Sequence, residues 1–205
     1  MGFYDKHILP HVVHFTCSMK PIMLQRKQVV PQAEGVVLEI GIGTGLNLPF
    51  YATEKIQKVV GLDPSSKMLD KAKKVSETVS FDVEFIELPG EGNPLDTDSV
   101  DTVLMMYTLC SIVDTKTALR EMARVLKPRG KLIFCEHGVS PDIRVRKWQD
   151  RLNPVWGYCG GGCHLNREIP KLINEGGFNI VELNEGYIKG WRPASYNYWG
   201  TASRV

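Results

Sequence analysis

The segment from Val36 to Tyr51 constrains the fold more than any other. A short apolar run, Val36–Ile40 (VVLEI), leads into Glu39-Ile40-Gly41-Ile42-Gly43-Thr44-Gly45. An apolar run closed by glycines reads as a buried strand. Glycine is needed where backbone turns sharply and must approach a ligand without a Cβ in the way. A helix over Leu46–Tyr51 is expected to follow. A glycine loop alone is a weak signal, because glycine also marks ordinary turns. Its context adds weight. Asp63 closes the next strand, 18 residues beyond Gly45, where a carboxylate can accept two hydrogen bonds from a ribose diol. Met68 follows on the next helix, where it can cover an adenine face.

Strand-like and helix-like segments alternate from there. Lys58–Leu62, Val83–Ile86, Val100–Tyr107 and Lys131–Cys135 read as strands, and Ser65–Val75 and Thr115–Leu126 as helices. The second helix is the clearer. Ala118, Leu119, Met122, Val125 and Leu126 share a face, Lys127 suits the helix dipole, and Pro128 ends it. Such alternation means a parallel sheet with helices on both faces, and ligands at the carboxyl ends of its strands. Upstream, Tyr4, Ile8, Val12, Phe15 and Met19 recur at helical spacing, broken by Pro10 and Pro21. Residues 1–34 therefore read as a helical cover on a main body of residues 35–205. Within that body, 141–164 holds Trp148, Trp156 and the Gly160–Gly162 run, and reads as an insertion. A helix (Arg167–Glu175) and two strand candidates (Phe178–Leu183, Ala194–Ala202) close the chain.

Composition excludes several classes. Of 205 residues, 43% are hydrophobic and 23% charged, an ordinary globular mix and not a disordered one. A net charge of +2 gives no bulk attraction for nucleic acid, and Lys71, Lys73 and Lys74 read as a solvated helix face. No apolar run reaches the roughly 18–20 residues of a membrane span; peripheral membrane contact stays open, as does oligomeric state. The first residues lack the layout of a signal peptide. Five scattered cysteines fit a reducing cytoplasm better than a disulfide framework. Cys159-x-x-x-Cys163-His164 has no matching pair elsewhere, so no metal is expected.

Two cofactors compete for the loop. A dinucleotide asks for G-x-G-x-x-G with its pyrophosphate on the helix N-terminus. This chain has G-x-G-x-G followed by Leu46, and Glu39 stands two residues before the first glycine. A carboxylate there suits a cationic ligand better than a diphosphate. S-adenosylmethionine carries a sulfonium and an ammonium, and no phosphate.

With these residues in view, the chain resembles the class I S-adenosylmethionine-dependent methyltransferases from about Val36 onward. E-I-G-I-G-T-G, G-L-D-P, Gly90–Asp101 (GEGNPLDTDSVD) and L-K-P-R-G-K-L stand in that family's order and spacing. The resemblance implies an α/β, Rossmann-like seven-stranded sheet, mostly parallel with an antiparallel last strand and helices on both faces. It implies S-adenosylmethionine as cofactor, with S-adenosylhomocysteine as product. It gives the methionine part to Glu39, Gly41, Gly43 and Gly45, and the ribose to Asp63. The adenine falls to Gly90 and Glu91, since Pro89 stands where the family often has an Asp. Tyr107 and Thr108 line the sulfonium. A narrower likeness, in Tyr107–Ile112 (YTLCSI), Cys135–His137 (CEH), Asn153–Trp156 (NPVW) and Gly162–Arg167 (GCHLNR), is to the alkyl-thiol methyltransferases of animals and their bacterial relatives.

The expected partner is a small, partly apolar acceptor, with a thiol as first choice and a phospholipid amine or quinone-type ring next. A thiol, pKa about 8.5, needs little help to ionise, whereas a phenol or carbon acid needs a base. His137, Tyr107 and His164 are the catalytic candidates. His137 is the best-placed base or orienting residue, or else a histidine hydrogen-bonded at a strand end. Tyr4, His7 and His11 are candidates to close over the site, Trp148 and Trp156 to wall a pocket or fill core. Arg167 fits a cap for backbone carbonyls better than an anion partner. Three other readings stand against this one: a nicotinamide oxidoreductase, a non-catalytic cofactor-binding module, and a nucleic-acid methylase, whose N-P-P-Y or D-P-P-Y motif is absent.

Overall fold

A computed structural model describes Tyr4 and residues 8–205. Seven strands form one sheet in the order β3-β2-β1-β4-β5-β7-β6. They are β1 (Gly35–Ile40), β2 (Ile56–Leu62), β3 (Asp82–Ile86), β4 (Val100–Met106), β5 (Leu126–His137), β6 (Phe178–Tyr187) and β7 (Tyr196–Arg204). The first five are parallel, and β7 runs antiparallel to both β5 and β6. The expected sheet, with its antiparallel last strand, is the one found.

Two apolar clusters cover the two faces, because successive residues of a strand point opposite ways. Leu38, Ile40, Val103, Met105 and Phe134 pack with Leu119 and Met122 of a helix at Thr115–Val125. Val37, Leu104, Met106, Ile133 and Cys135 pack on the other side with Val29, Val30 and Leu69. Burying a side chain such as Leu119 contributes about 1.5–3 kcal/mol.

Six α-helices are described: α1 (Leu9–Cys17), α2 (Lys20–Val29), α3 (Ser66–Ser76), α4 (Thr115–Val125), α5 (Ile143–Cys159) and α6 (Ile169–Glu175). None of them is long and apolar enough to cross a membrane. Pro10 and Pro21 each lie in the first turn of a short helix, as expected, where a missing N–H costs nothing. Asp114 starts α4 by accepting from the Thr117 amide at 3.0 Å.

Two expectations need correction. The helix over Leu46–Tyr51 is only a 3₁₀ turn at Leu48–Phe50. Pro49 has no N–H to give the Gly45 carbonyl in an α-helix, and Leu48 N bonds that carbonyl instead, at 3.1 Å. The stretch read as an irregular insertion is mostly α5, a 17-residue helix with Pro154 inside it. Asp142 caps it through the Arg144 amide at 2.9 Å. Its buried Gln149 accepts from Ser140 N at 2.9 Å and reaches the carbonyls of Gly138, Leu165 and Pro193 at 2.9–3.0 Å. That one side chain fastens α5 to the end of β5 and to two loops, which offsets the lost backbone bond at Pro154.

Candidate active site

The strand order reverses between β1 and β4, and the loops after those strands open a cleft of about 330 Å³. Ligands in open α/β sheets bind at such a point. Gly41, Gly43, Asp63, Met68, Gly90, Glu91, Tyr107 and Thr108 all line it.

The glycine loop is shaped by close approach. Gly41 and Gly43 both have φ in the left-handed region, +67° and +57°. A Cβ on Gly41 would meet Thr108 Cγ2 at 2.4 Å, so glycine there lets the β1 and β4 loops touch. A Cβ on Gly43 would meet only the Gly41 carbonyl, at 3.8 Å, and would stand in the open cleft. Asp63 ties the loop to the next strand. Its Oδ2 accepts from Gly43 N at 3.0 Å and its Oδ1 from Ser65 N at 2.9 Å. Each oxygen keeps a further lone pair for a diol. Burial raises the Asp63 pKa, against the pull of those two amides.

Two residues assigned to the cofactor do not line the cleft. Gly45 packs on α3, where a Cβ would come within 3.1 Å of Ala72 Cα. Glu39 is 1% exposed and points to the face of the sheet shared with Val37. Its two oxygens accept from Asn47 Nδ2 at 2.8 Å and Tyr51 Oη at 2.6 Å. Burial pushes its pKa up to about 7 against those bonds and the nearby Arg26. Glu91 lies on the cleft wall, but its Oε1 accepts from Asp114 N at 3.2 Å.

The catalytic candidates also separate. Tyr107 reaches the cleft with φ +57°, an uncommon conformation for a bulky residue, held by its amide on the Cys135 carbonyl at 2.9 Å. That turn lets Thr108 N donate to the buried Glu136 Oε1 at 2.7 Å. The Tyr107 hydroxyl accepts from the Cys135 thiol at 3.6 Å, and burial raises its pKa well above the ordinary range, so it is a poor base. His137 and His164 are not on the cleft wall. His164 Nδ1 accepts from Asn153 Nδ2 at 3.1 Å. His137 Nε2 lies 3.1 Å from Cys163 Sγ. Burial opposes its charged form, but Cys163 and Glu136 together raise its pKa. The Cys163 thiol also meets Cys110 Sγ at 3.5 Å and Trp156 Nε1 at 3.3 Å. Its hydrogen bond with Cys110, then the charge on His137, lowers its pKa against the cost of burial.

The N-terminal helices bring in residues that sequence reasoning missed. Val13, His14 and Cys17 of α1 and Arg26 of α2 line the cleft. His14 Nδ1 and Thr44 Oγ1 are 2.7 Å apart, which ties α1 to the glycine loop. Arg26 is 4% exposed and donates to Asn47 Oδ1, while its Nε has no partner. No local pattern marked these four; the helical spacing read from the sequence was that of Tyr4, Ile8, Val12, Phe15 and Met19. Of the residues expected to close over the site, Tyr4 donates to the Cys159 carbonyl at 2.6 Å, His11 is exposed beside Lys71, and His7 lies outside the described residues. Trp148 is 55% exposed, whereas Trp156 packs on Trp191 with centroids 5.6 Å apart. Arg167 caps backbone carbonyls, as expected, but those of Leu109 and Ile112, distant in sequence, rather than local ones.

The site fits the expected cofactor. The Gly43 backbone faces open space, Asp63 offers free lone pairs to a ribose, and the unpartnered Nε of Arg26 suits a carboxylate. Comparisons with known proteins agree. The family described as "Methyltransferase domain" matches residues 38–134. Rat thiol S-methyltransferase TMT1B is 35% identical over 80% of this chain and 66% of its own length. The human protein of that name is 34% identical over 81% of this chain and 69% of its own. The chain thus spans about two thirds of the length of these relatives. A Thermotoga maritima structure, described as an S-adenosylmethionine-dependent methyltransferase and possible histamine N-methyltransferase, shares the fold. Its TM-score is 0.64 at 23% identity, covering 98% of this chain and 94% of that one.

Proposed function

The chain belongs to the class I S-adenosylmethionine-dependent methyltransferases, and from that premise we propose that it methylates a small, partly apolar acceptor, a thiol before any other. The likeness to the thiol S-methyltransferases carries the choice of thiol. The chemistry of the cleft agrees with it. A thiol ionises with modest help, and the Tyr107 hydroxyl on the β4 loop is engaged by the Cys135 thiol.

When bound, S-adenosylmethionine supplies a methyl group already activated by its sulfonium, which leaves positioning and desolvation to the protein. Asp63 would hold the ribose diol, and Arg26 the carboxylate of the methionine part. Met68, together with the backbone at Gly90, would bracket the adenine. The β4 turn at Tyr107–Thr108, fixed by Glu136, would border the methyl group. Helices α1 and α2 would shield the acceptor from water, with the cleft-lining Val13 and Cys17 offering it an apolar, soft face.

A transfer assay with labelled S-adenosylmethionine tests this reading. Small alkyl and aryl thiols would be compared with amines, phenols, quinols and phospholipid head groups. Label is expected in the thioether product. Transfer only to a quinol or a head-group amine would overturn the thiol. Tight cofactor binding with no transfer to any acceptor would favour a non-catalytic binding module.

A further inference from the structure

Cys110, His137 and Cys163 come from three separate parts of the chain and aim their side chains at one point. One ligand atom from each lies within 4.8 Å of the other two. Cys163 Sγ is 3.1 Å from His137 Nε2 and 3.5 Å from Cys110 Sγ. Tetrahedral zinc, with Zn–S near 2.3 Å and Zn–N near 2.0–2.1 Å, needs S···S of about 3.8 Å and S···N of about 3.5 Å. Those two separations would have to open by only a few tenths of an ångström.

The donor set is also right. Two sulfurs and one imidazole select a borderline-soft ion such as zinc over magnesium or calcium. The Trp156 indole N–H donates to Cys163 Sγ at 3.3 Å, the kind of outer hydrogen bond that orients a thiolate ligand. The scaffold is rigid. Arg167 grips the carbonyls on either side of Cys110, at Leu109 and Ile112. His164 N bonds the Cys110 carbonyl at 2.9 Å, fixing the loop that carries Cys163. Gln149 fastens the end of β5, just past His137, to the loop at Leu165. Cys159, the other cysteine of the C-x-x-x-C-H run, is exposed and stands outside the cluster.

We propose that Cys110, His137 and Cys163 form a three-ligand site for a zinc-class divalent ion, with one coordination position left open. Three protein ligands are the pattern of catalytic zinc; structural sites close with four. His137 and Cys163 are half-buried, so the site is not sealed. It adjoins the cleft, since Ser111 and Gly161, close in the chain to Cys110 and Cys163, line that cleft. A thiol entering the open position would lose its proton to solvent and bind as thiolate. Naming that thiol as the methyl acceptor rests on the proposed function; the ion site does not.

Cobalt(II) titration tests the site without reference to catalysis. The reduced full chain, stripped by a chelator, would be titrated with cobalt chloride and followed by absorption. One equivalent is expected to give the visible bands of tetrahedral cobalt with thiolate charge transfer in the near ultraviolet, and zinc should bleach them. Cys163→Ser and Cys110→Ser should each cut the charge-transfer intensity by about half or more, as one of two thiolates is lost. His137→Ala should weaken binding at least tenfold, and Cys159→Ser should match the parent. Circular dichroism separates loss of ligand from loss of fold, and with two cysteine variants the test does not hang on either one. Absence of tetrahedral bands in the parent overturns the proposal, as does their survival at full intensity in both cysteine variants. A Cys110–Cys163 disulfide that persists under reducing conditions would overturn it too.

Discussion

The Asp63 carboxylate accepts the Gly43 amide at 3.0 Å, so the residue expected to hold the ribose also holds the glycine loop. Its other oxygen takes the Ser65 amide, at the start of α3. One side chain therefore couples the ends of β1 and β2.

Asp63→Ala should weaken S-adenosylmethionine binding by about 2 kcal/mol, the scale of charge-assisted hydrogen bonds. Isothermal calorimetry measures this directly. Unchanged affinity would remove Asp63 from the cofactor site.

Arg26→Met should weaken S-adenosylmethionine by about 1.5–3 kcal/mol through loss of a bond to its carboxylate. Methylthioadenosine, which has no carboxylate, should bind parent and variant alike. Equal losses for both ligands would mean that Arg26 acts only by supporting Asn47.

Glu39 gives a pH test. Burial raises its folded pKa to about 7, above the unfolded carboxylate value, so the folded state holds the extra proton. The stability tied to that proton is full below the unfolded pKa and is lost as pH rises through about 7. Relative to Glu39→Gln, the parent should lose up to about 3 kcal/mol between about pH 5 and pH 8. Urea melts at the two pH values read it out. Parallel losses in both proteins would show that Glu39 stays ionised throughout.

Gln149→Leu should destabilise the fold by about 2–4 kcal/mol, since it strands buried carbonyls at Gly138, Leu165 and Pro193 and the Ser140 amide. A thermal melt measures the loss. A melting temperature equal to that of the parent would mean that water replaces the amide at no cost.

Much of this molecule was legible along the chain. The glycine loop, Asp63 and Met68 sit where local signals put them, because a strand, a tight turn and a helix start are each written in a few adjacent residues. The face of α4 was legible for the same reason: helical spacing fixes which residues share a side. Glu39 could have been read better. It shares the parity of Val37, and a period of two turns it away from the cleft mouth toward Asn47 and Tyr51. The helix α5 was obscured because Pro154 and nearby glycines are local breakers, while its anchor, Gln149, acts through contacts distant in sequence.

The sequence by itself determined the strand–helix alternation and the cofactor loop, since these follow from short-range pattern; the seven-stranded sheet with its antiparallel last strand was what the family resemblance implied. Only the tertiary structure decided that Arg26 and His14 reach the cleft from the N-terminal helices, and that His137 faces Cys163 and Cys110. The reason is geometric. No periodicity relates residues 110, 137 and 163; their side chains meet because the ends of β4 and β5 are neighbours in the sheet and α5 returns the chain beside them.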